Sequence, residues 1–232
     1  MSGKPFVISV VGAGGKTSLI RHLAYEAMER GERVLVTTTT HMFAPQAFGA
    51  YSVRAARERL EREHLAVLGK KEGEKIAFPG EAEILEAGDC ADFILIEADG
   101  SRRLPVKVPR AGEPVILPKT DEILCVQGLS ALKRPLAQVC CRLDEALAIL
   151  RAQGIAADEE RAVSEEMIAA FSGEGYLRPL RSAYPQAKVL AVFAQADCEE
   201  TKRSGERILQ ILGEKEGWVI GNLLQEKSAT LF

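Results

Sequence analysis

The sequence predicts an α/β fold in which helices cover both faces of a mostly parallel β-sheet. Apolar, β-branched runs of strand length recur along the chain, helical patterns separate them, and a glycine-rich turn joins the first run to the first helix. Continuous apolar runs are typical of parallel strands, because helices bury both faces of such a sheet. Strands that alternate with helices favour βαβ units with right-handed crossovers.

The first βαβ unit begins with the apolar run PFVISVV, which we interpret as a buried strand. A helix is predicted after it by apolar residues at helical spacing, namely Leu19, Ile20, Leu23, Ala24, Ala27 and Met28. Gly31 supplies a C-cap for this helix, and RVLVTTTT follows as the second strand. The glycine-rich turn therefore lies at the carboxyl end of the first strand, where parallel sheets bind ligands.

The remaining elements follow from the same patterns. LAVLGKKEGEKIAF predicts a hairpin, and residues 81–87 predict a short helix. Buried strands are predicted for DFILIEADG, EILCVQG and KVLAVFAQAD, and the last strand for GWVIGNLL. Residues 129–185 have mostly helical periodicity and precede the penultimate strand. We therefore expect a single domain over residues 1–232, with 129–185 as a helical insertion or lid.

Composition excludes several classes of protein. Hydrophobic residues make up 47% and charged residues 27% of the 232 residues, which is typical of globular proteins. The net charge of −3 gives no basic surface for nucleic acid, and five scattered cysteines indicate reduced thiols rather than a disulfide framework. The apolar run over residues 6–11 is shorter than the roughly 7–15 residues of a signal peptide, and no segment has the ~20 apolar residues of a membrane span. We expect a cytoplasmic protein whose partners are neither nucleic acid nor membrane.

The segment VVGAGGKTS contains a candidate phosphate-binding loop. The usual motif, G-x-x-x-x-G-K-[ST], would place its first glycine at Val10, whereas G-x-x-G-K-T from Gly12 is shorter and similar to GTNGKT of the Mur ligases. Its glycines let backbone N–H groups converge on an anion, and the following helix adds its positive end. We expect these residues to hold the phosphates of a nucleotide: Gly12, Ala13, Gly14, Gly15, Lys16, Thr17 and Ser18. A glycine-rich turn without a ligand is the alternative. We expect a three-layered, P-loop NTPase-like fold.

FILIEADGSR ends a predicted buried strand with two acidic residues, Glu97 and Asp99. In P-loop proteins an acid at the end of a neighbouring strand holds Mg²⁺ together with the loop hydroxyl. We expect Thr17 and Glu97 to hold the metal. Asp99 is the second candidate acid, and the spacing from Glu97 to Gly100 also fits a switch that senses the γ-phosphate. Two surface acids at a strand end are the alternative.

Three more segments supply candidate site residues. After the acids, Arg102 and Lys107 could offset phosphate charge, whereas Arg103 and Arg110 fit a solvated basic loop equally well. TTTTHMF brings Thr39, Thr40 and His41 to the rim of the sheet, with His41 or Asp99 as the residue that orients a water molecule. Asp197, in AQAD, lies where GTPases read guanine.

Taken together, the blocks VGAGGKTS, RVLVTTTTHMF, FILIEADGSRRLPVKVP, EPVI and QAD resemble the selenium-dependent hydroxylase accessory proteins, a family of bacterial P-loop proteins. The resemblance implies a role in maturing a selenium-dependent molybdenum hydroxylase, with that enzyme or its maturation machinery as partner. Ala194 departs from the N-Q-x-D pattern expected of the family.

These residues predict Mg²⁺-dependent binding and hydrolysis of a nucleoside triphosphate, ATP or GTP. Lys16, Asp99, His41 and Arg102 are the candidate catalytic residues. Two alternatives are a nucleotide-gated binding protein or chaperone without significant hydrolysis, and a small-molecule kinase that uses the helical insertion as a lid.

Overall fold

A computed structural model describes residues 4–221, 223 and 232 of the chain. Within these residues the strands are β1 (Phe6–Gly12), β2 (Val34–Thr38), β3 (His41–Phe43), β4 (Gly49–Ala50), β5 (Leu65–Leu68), β6 (Lys70–Glu72), β7 (Lys75–Ala77), β8 (Phe93–Glu97), β9 (Val106–Lys107), β10 (Glu122–Gly128), β11 (Cys140–Cys141), β12 (Lys188–Ala194) and β13 (Trp218–Val219). The helices are α1 (Lys16–Glu29), α2 (Val53–Glu63), α3 (Glu81–Gly88), α4 (Leu136–Val139), α5 (Leu143–Ala152), α6 (Glu165–Ser172), α7 (Arg178–Ala183) and α8 (Glu199–Leu212).

Eight strands form one sheet in the order β13-β12-β10-β1-β8-β2-β5-β4, and every neighbouring pair is parallel. β1 lies between β10 and β8, so that Val10 pairs with Leu124 on one side and with Glu97 on the other. The predicted mostly parallel α/β fold is confirmed. Val10 belongs to the strand, and the glycine loop follows the strand at the carboxyl edge of the sheet.

Most of the predicted elements have the expected type, and one prediction is partly wrong. Residues 65–78 do not form a single hairpin, because Leu65–Leu68 pairs in parallel with β2 in the main sheet. The hairpin is limited to β6 and β7, which join β3 in a separate antiparallel sheet. The predicted last strand is reduced to Trp218–Val219 within the described residues, and Asn222 and Leu224 of that segment lie outside them.

The two faces of the sheet bury two different sets of side chains. Along β1, Ile8 and Val10 point into a core that includes Leu19, Ile20, Ala24 and Ala27 of α1. Val7 and Val11 point into the opposite core, which is built from α2, α3, α5, α6 and α8. This alternation along a strand explains why the runs are apolar at consecutive positions.

The helical segment between β10 and β12 packs on the second face of the sheet. α6 contacts α8, and α7 contacts β12. A π-helical turn, Gly173–Leu177, joins α6 to α7 without a break in the helix. Such turns insert one residue into a helix and change the direction of the side chains that follow.

No helix within residues 4–221 combines the length and the apolar character that a membrane crossing requires.

Replacing Phe193 with alanine should lower the free energy of unfolding by about 3–5 kcal/mol, because its ring is fully buried in β12 and the change leaves a cavity. Urea-induced unfolding measures this loss. The matched control is Ile211→Ala on α8, whose side chain is 51% exposed and should contribute much less. Equal losses for the two variants would contradict the assigned core.

Candidate functional site

The loop between β1 and α1 requires glycine at two positions for steric reasons. Gly12 and Gly14 have φ of +91° and +71°, which L residues rarely adopt. A Cβ atom at Gly12 would lie 2.0 Å from the Val126 carbonyl oxygen, and one at Gly14 would lie 2.4 Å from the Pro105 carbonyl oxygen. The loop is therefore in close contact with the backbone of Val126 in β10 and of Pro105 just before β9, and no residue other than glycine fits at positions 12 and 14.

The amino terminus of α1 faces the space above this loop. Gly15 is the N-cap residue, and no described side chain caps the helix. The first N–H groups of an α-helix have no partner within the helix and carry partial positive charge. This end of the helix is therefore suited to an anion.

The Lys16 side chain folds back over the loop. Its Nζ donates to the Gly12 carbonyl oxygen at 2.9 Å and to Ser101 Oγ at 3.2 Å. Burial lowers the pKa of Lys16, because the ammonium loses its hydration, and the nearby Glu97 and Asp99 carboxylates oppose this shift. An anion bound on the loop would compensate for the hydration that the Lys16 ammonium loses on burial.

Thr17 and Glu97 meet at the same end of the sheet. Thr17 Oγ1 donates to Glu97 Oε2 at 2.7 Å, and the Glu97 side chain is buried at the end of β8. Thr17 and Glu97, the two residues expected to hold the metal, therefore lie within hydrogen-bond distance of each other. Within residues 4–221, no three His, Cys, Asp or Glu side chains lie together as a metal site.

Asp99 lies behind the loop and not in the space above it. Its side chain is 1% exposed, and its Oδ2 accepts from the Gly12 backbone N–H at 3.2 Å and from the Tyr176 hydroxyl at 2.8 Å. The Lys107 ammonium binds Asp99 Oδ1. Both oxygens of the Asp99 carboxylate are therefore engaged by donors of the protein.

Lys107 is also enclosed by protein. Its side chain is fully buried, and besides Asp99 it contacts the Gly100 carbonyl oxygen and Glu113 Oε2, each at 2.7 Å. The structure therefore does not bring Asp99 or Lys107 to the open cavity, where a direct contact with a ligand was expected. Both residues support the loop from below.

A cavity of about 870 Å³ opens above the loop. Of the predicted residues, it is lined by Gly14, Gly15, Lys16, Thr17, Ser18, Thr40, His41, Glu97 and Arg102. Gly12, Ala13 and Thr39 do not line it: Ala13 is fully buried, and Thr39 Oγ1 donates to the Val115 carbonyl oxygen at 2.7 Å. His41 lies at the rim, with Nε2 3.2 Å from Glu72 Oε2.

In the segment predicted to read the base, the residue at the cavity differs from the expected one. Asp197 is exposed and does not line the cavity, whereas Gln195 does. Gln195 has φ of +62°, and its Oε1 accepts from Ser130 Oγ at 2.6 Å. The end of β12 thus presents an amide to the cavity at a position that sequence reasoning did not select.

Glu113 is a second residue that sequence reasoning missed. Its carboxylate meets Arg110 and Arg142 at the surface and Lys107 below. Burial alone would raise the pKa of Glu113, but hydrogen bonds and attraction from Lys107 and Arg142 outweigh it and lower the pKa. The block EPVI contains Glu113, but nothing in its spacing from the other motifs indicates this contact.

Tyr176 is the third residue that sequence reasoning missed. It is the largest fully buried side chain, and burial together with the Asp99 carboxylate raises its pKa well above the ordinary value. Its hydroxyl therefore stays protonated and donates to Asp99. Only the π-helical turn, which the sequence did not predict, directs Tyr176 from the helical segment towards the loop.

Replacing Tyr176 with phenylalanine should lower the free energy of unfolding by about 1.5–3 kcal/mol, the usual range for a hydrogen bond to a charged group. Chemical denaturation measures it. Tyr184→Phe is the control, because this half-buried tyrosine makes no side-chain hydrogen bond among the described residues. If the Tyr176 variant is as stable as wild type, the contact with Asp99 does not contribute.

Replacing Glu113 with glutamine should reduce stability at neutral pH and have less effect in acid. The folded-state pKa of Glu113 lies below its ordinary value of 4.5, so its charge stabilises the fold above that pH and is lost as the pH falls through the folded-state pKa. Unfolding of both proteins between neutral pH and pH about 3 should therefore show a converging difference. Glu61→Gln, on the exposed face of α2, should show no such trend; a constant difference for Glu113→Gln would contradict the pairing.

A comparison with a solved structure agrees with this fold. The chain is similar to the MinC:MinD cell division protein complex of Aquifex aeolicus, with a TM-score of 0.53 and 13% identity over 97% of this chain and 85% of that one. A match to the signal recognition particle 54 kDa protein of Aeropyrum pernix K1 in complex with GDP has a TM-score of 0.43, with 13% identity over 96% of this chain and 42% of that one. The fold is that of the P-loop NTPases.

In sequence, the chain is 39% identical over 137 residues to a YqeC protein of Escherichia coli (strain K12), which covers 54% of this chain and 52% of the relative. The chain thus spans about half the length of this curated relative. Residues 8–144 match the family described as YqeC protein. That region contains the glycine loop, the strand-end acids and the basic segment from Arg102 to Arg110. The chain belongs to the YqeC family.

Proposed function

We propose that this chain binds a nucleoside triphosphate with Mg²⁺ and hydrolyses it, as an accessory factor in the maturation of a selenium-dependent molybdenum hydroxylase. The observation that carries the nucleotide assignment is the loop itself. Gly14 and Gly15, which both have positive φ, an uncapped helix terminus and the buried Lys16 converge on one cavity. The hydroxylase role rests on the resemblance of the sequence blocks to that accessory family.

The donor set fits a phosphate chain. Backbone N–H groups of Gly14, Gly15 and the first turn of α1 would bind phosphate oxygens, and Lys16 would exchange its backbone contact for the β/γ-phosphates. Desolvation of the free Lys16 ammonium favours this exchange, because a phosphate is a stronger partner than the Gly12 carbonyl and Ser101 hydroxyl oxygens that it now contacts.

The donor set also fits Mg²⁺, which prefers hard oxygen ligands and keeps several waters. Thr17 Oγ1 and Glu97 Oε2, now hydrogen-bonded to each other, would hold it. Bound there, the metal would neutralise phosphate charge. Glu97 is buried and fixed by its strand, so the carboxylate is in position before the ligand arrives.

Asp99 was expected either to hold the metal or to orient a water molecule, and we assign it neither of these roles. Because Asp99 is enclosed behind the loop, we assign it a positioning role: it holds the Gly12 N–H and the Lys107 ammonium. His41 lines the cavity and is the better candidate to orient the water that attacks the γ-phosphorus. Glu72, 3.2 Å from His41 Nε2, would orient the imidazole.

Arg102 would offset the charge that develops as the bond from the γ-phosphorus to the bridging oxygen breaks. It lines the cavity and, among the described residues, its side chain has no hydrogen-bond or ion-pair partner. Its charge is therefore available to a ligand. Lys107 would act indirectly, through Asp99 and Glu113.

We propose one domain over residues 1–232 that acts in the cytoplasm, with the helical segment 129–185 as its insertion. This segment contributes Tyr176 behind the loop and Arg142 at the cavity. The expected partner is a molybdenum hydroxylase or its maturation machinery, and neither nucleic acid nor a membrane. Asp197 is retained as a candidate contact for the base, together with Gln195.

A thermal-shift screen of ATP, GTP and CTP with Mg²⁺ tests nucleotide binding. At a ligand concentration of 100 Kd, binding stabilises the native state by about 2.7 kcal/mol, which for a chain of this size is a rise in Tm of roughly 5–11 °C. Lys16→Ala should abolish the shift, whereas Lys119→Ala, on an exposed loop, should retain it. Release of inorganic phosphate without an acceptor then tests hydrolysis.

The outcomes separate the alternatives. A Lys16→Ala variant that binds all three nucleotides as wild type does would contradict the phosphate loop. Tight binding without phosphate release would favour a nucleotide-gated binding protein or chaperone, and release that requires an acceptor would favour a small-molecule kinase.

A further inference from the structure

The cavity above the glycine loop contains more positive charge than its own carboxylates balance. Seven lysine and arginine side chains line the whole cavity within the described residues, against the two carboxylates of Glu97 and Glu113. Five of the seven cations belong neither to the glycine loop nor to α1, and three of these five are Arg103, Arg110 and Arg142. We refer to these three residues as the arginine cluster.

One carboxylate is shared among several cations at this cluster. Glu113 Oε1 lies 3.1 Å from Arg110 Nε and 3.2 Å from Arg142 Nη2. Glu113 Oε2 is already engaged by Lys107 from below, at 2.7 Å. Each arginine is therefore only partly neutralised, and the buried Nε of Arg142 has no hydrogen-bond acceptor among the described residues.

Arg103 is held by an aromatic ring and not by an acid. Its guanidinium carbon lies 4.6 Å from the centroid of Phe43, and Arg103 has no ion-pair partner among residues 4–221. A cation–π contact orients a guanidinium without cancelling its charge. The Phe43 ring itself is 53% exposed and lines the cavity.

The backbone of the cluster is strained. Arg103 and Arg142 have φ of +63° and +76°, in the left-handed region that non-glycine residues avoid. Of the seven described non-glycine residues with positive φ, four line this cavity: Arg102, Arg103, Arg142 and Gln195. Such strain persists where surrounding structure imposes it, and it concentrates at ligand-binding sites.

We propose that the arginine cluster is a second anion site, which takes the phosphate of a small phosphomonoester while the glycine loop holds the nucleotide. A guanidinium group can donate two parallel hydrogen bonds to phosphate oxygens. The partly neutralised Arg110 and Arg142, together with Arg103, which has no ion-pair partner among the described residues, match a phosphate dianion better than a monovalent carboxylate. The cavity is within the roughly 300–1,000 Å³ of small-molecule sites. The inference rests on the proposed function only for the identity of the ligand on the loop.

The site is adjacent to the loop and distinct from it. Ser101, which accepts from Lys16, is two residues before Arg103, and Glu113 is joined to Asp99 through Lys107. The same buried network therefore supports both anion sites. A phosphomonoester on the arginine cluster would lie in the same cavity as the triphosphate.

Calorimetric titration of phenyl phosphate into protein saturated with Mg²⁺ and a non-hydrolysable triphosphate tests the site. Wild type should bind the probe, and the double variant Arg110→Ala/Arg142→Asn should bind it at least about tenfold more weakly, since two charge-assisted contacts are lost. Asparagine is chosen at 142 because it tolerates a left-handed backbone. Arg54→Ala, which removes an exposed arginine of α2, should bind as wild type.

Inorganic phosphate in a parallel titration distinguishes a site for an organic phosphate from one for the released product. Binding of inorganic phosphate with exclusion of phenyl phosphate would overturn the proposal, as would no binding of either probe. A double variant that loses the nucleotide and not the probe would assign the arginines to the triphosphate and also overturn it. If the double variant does not fold, Arg110→Ala alone should still weaken phenyl phosphate, and unchanged binding would contradict the site.

The failure of the proposed function is recognised separately. If wild type binds no nucleotide, phenyl phosphate is titrated into the free protein and into Lys16→Ala. Binding that survives Lys16→Ala and is lost in the arginine variant would support the second site without a nucleotide on the loop; binding lost in Lys16→Ala would overturn it.

Discussion

The site depends on one buried carboxylate, Asp99. Its oxygens receive the Gly12 N–H from the loop, the Lys107 ammonium from β9 and the Tyr176 hydroxyl from the helical segment. A carboxylate enclosed in protein is unfavourable unless donors replace its hydration, so the three segments must assemble together for any of them to be stable there. The position of the glycine loop is thereby linked to chain more than seventy residues away.

The charge of Lys107 extends this network towards the cavity. Asp99 and Glu113 share its ammonium, and Glu113 in turn meets Arg110 and Arg142 at the surface. Two buried or half-buried acids therefore compensate three cations, and the residual positive charge faces the cavity. The interior of the protein is close to neutral, whereas the cavity is basic although the chain as a whole carries a net charge of −3.

The local signals in the sequence were strong where a residue acts through its own backbone or its immediate neighbours. The shortened loop from Gly12 to Thr17 was predicted because glycine, lysine and threonine are required there by sterics and charge. Glu97 was predicted because strand ends meet at one edge of a parallel sheet. Asp99 and Lys107 were selected as well, but the sequence does not show that both side chains turn away from the cavity.

The sequence by itself determined the parallel sheet and the position of the glycine loop and of Glu97 at its carboxyl edge, because apolar periodicity and motif spacing act over short distances along the chain. Only the tertiary structure decided that Leu65–Leu68 joins the main sheet. It also decided that Glu113 forms ion pairs with three cations, and that a π-helical turn places the Tyr176 hydroxyl within hydrogen-bond distance of Asp99. These contacts join residues far apart in the chain, and their energies arise from burial and charge compensation that exist only after folding.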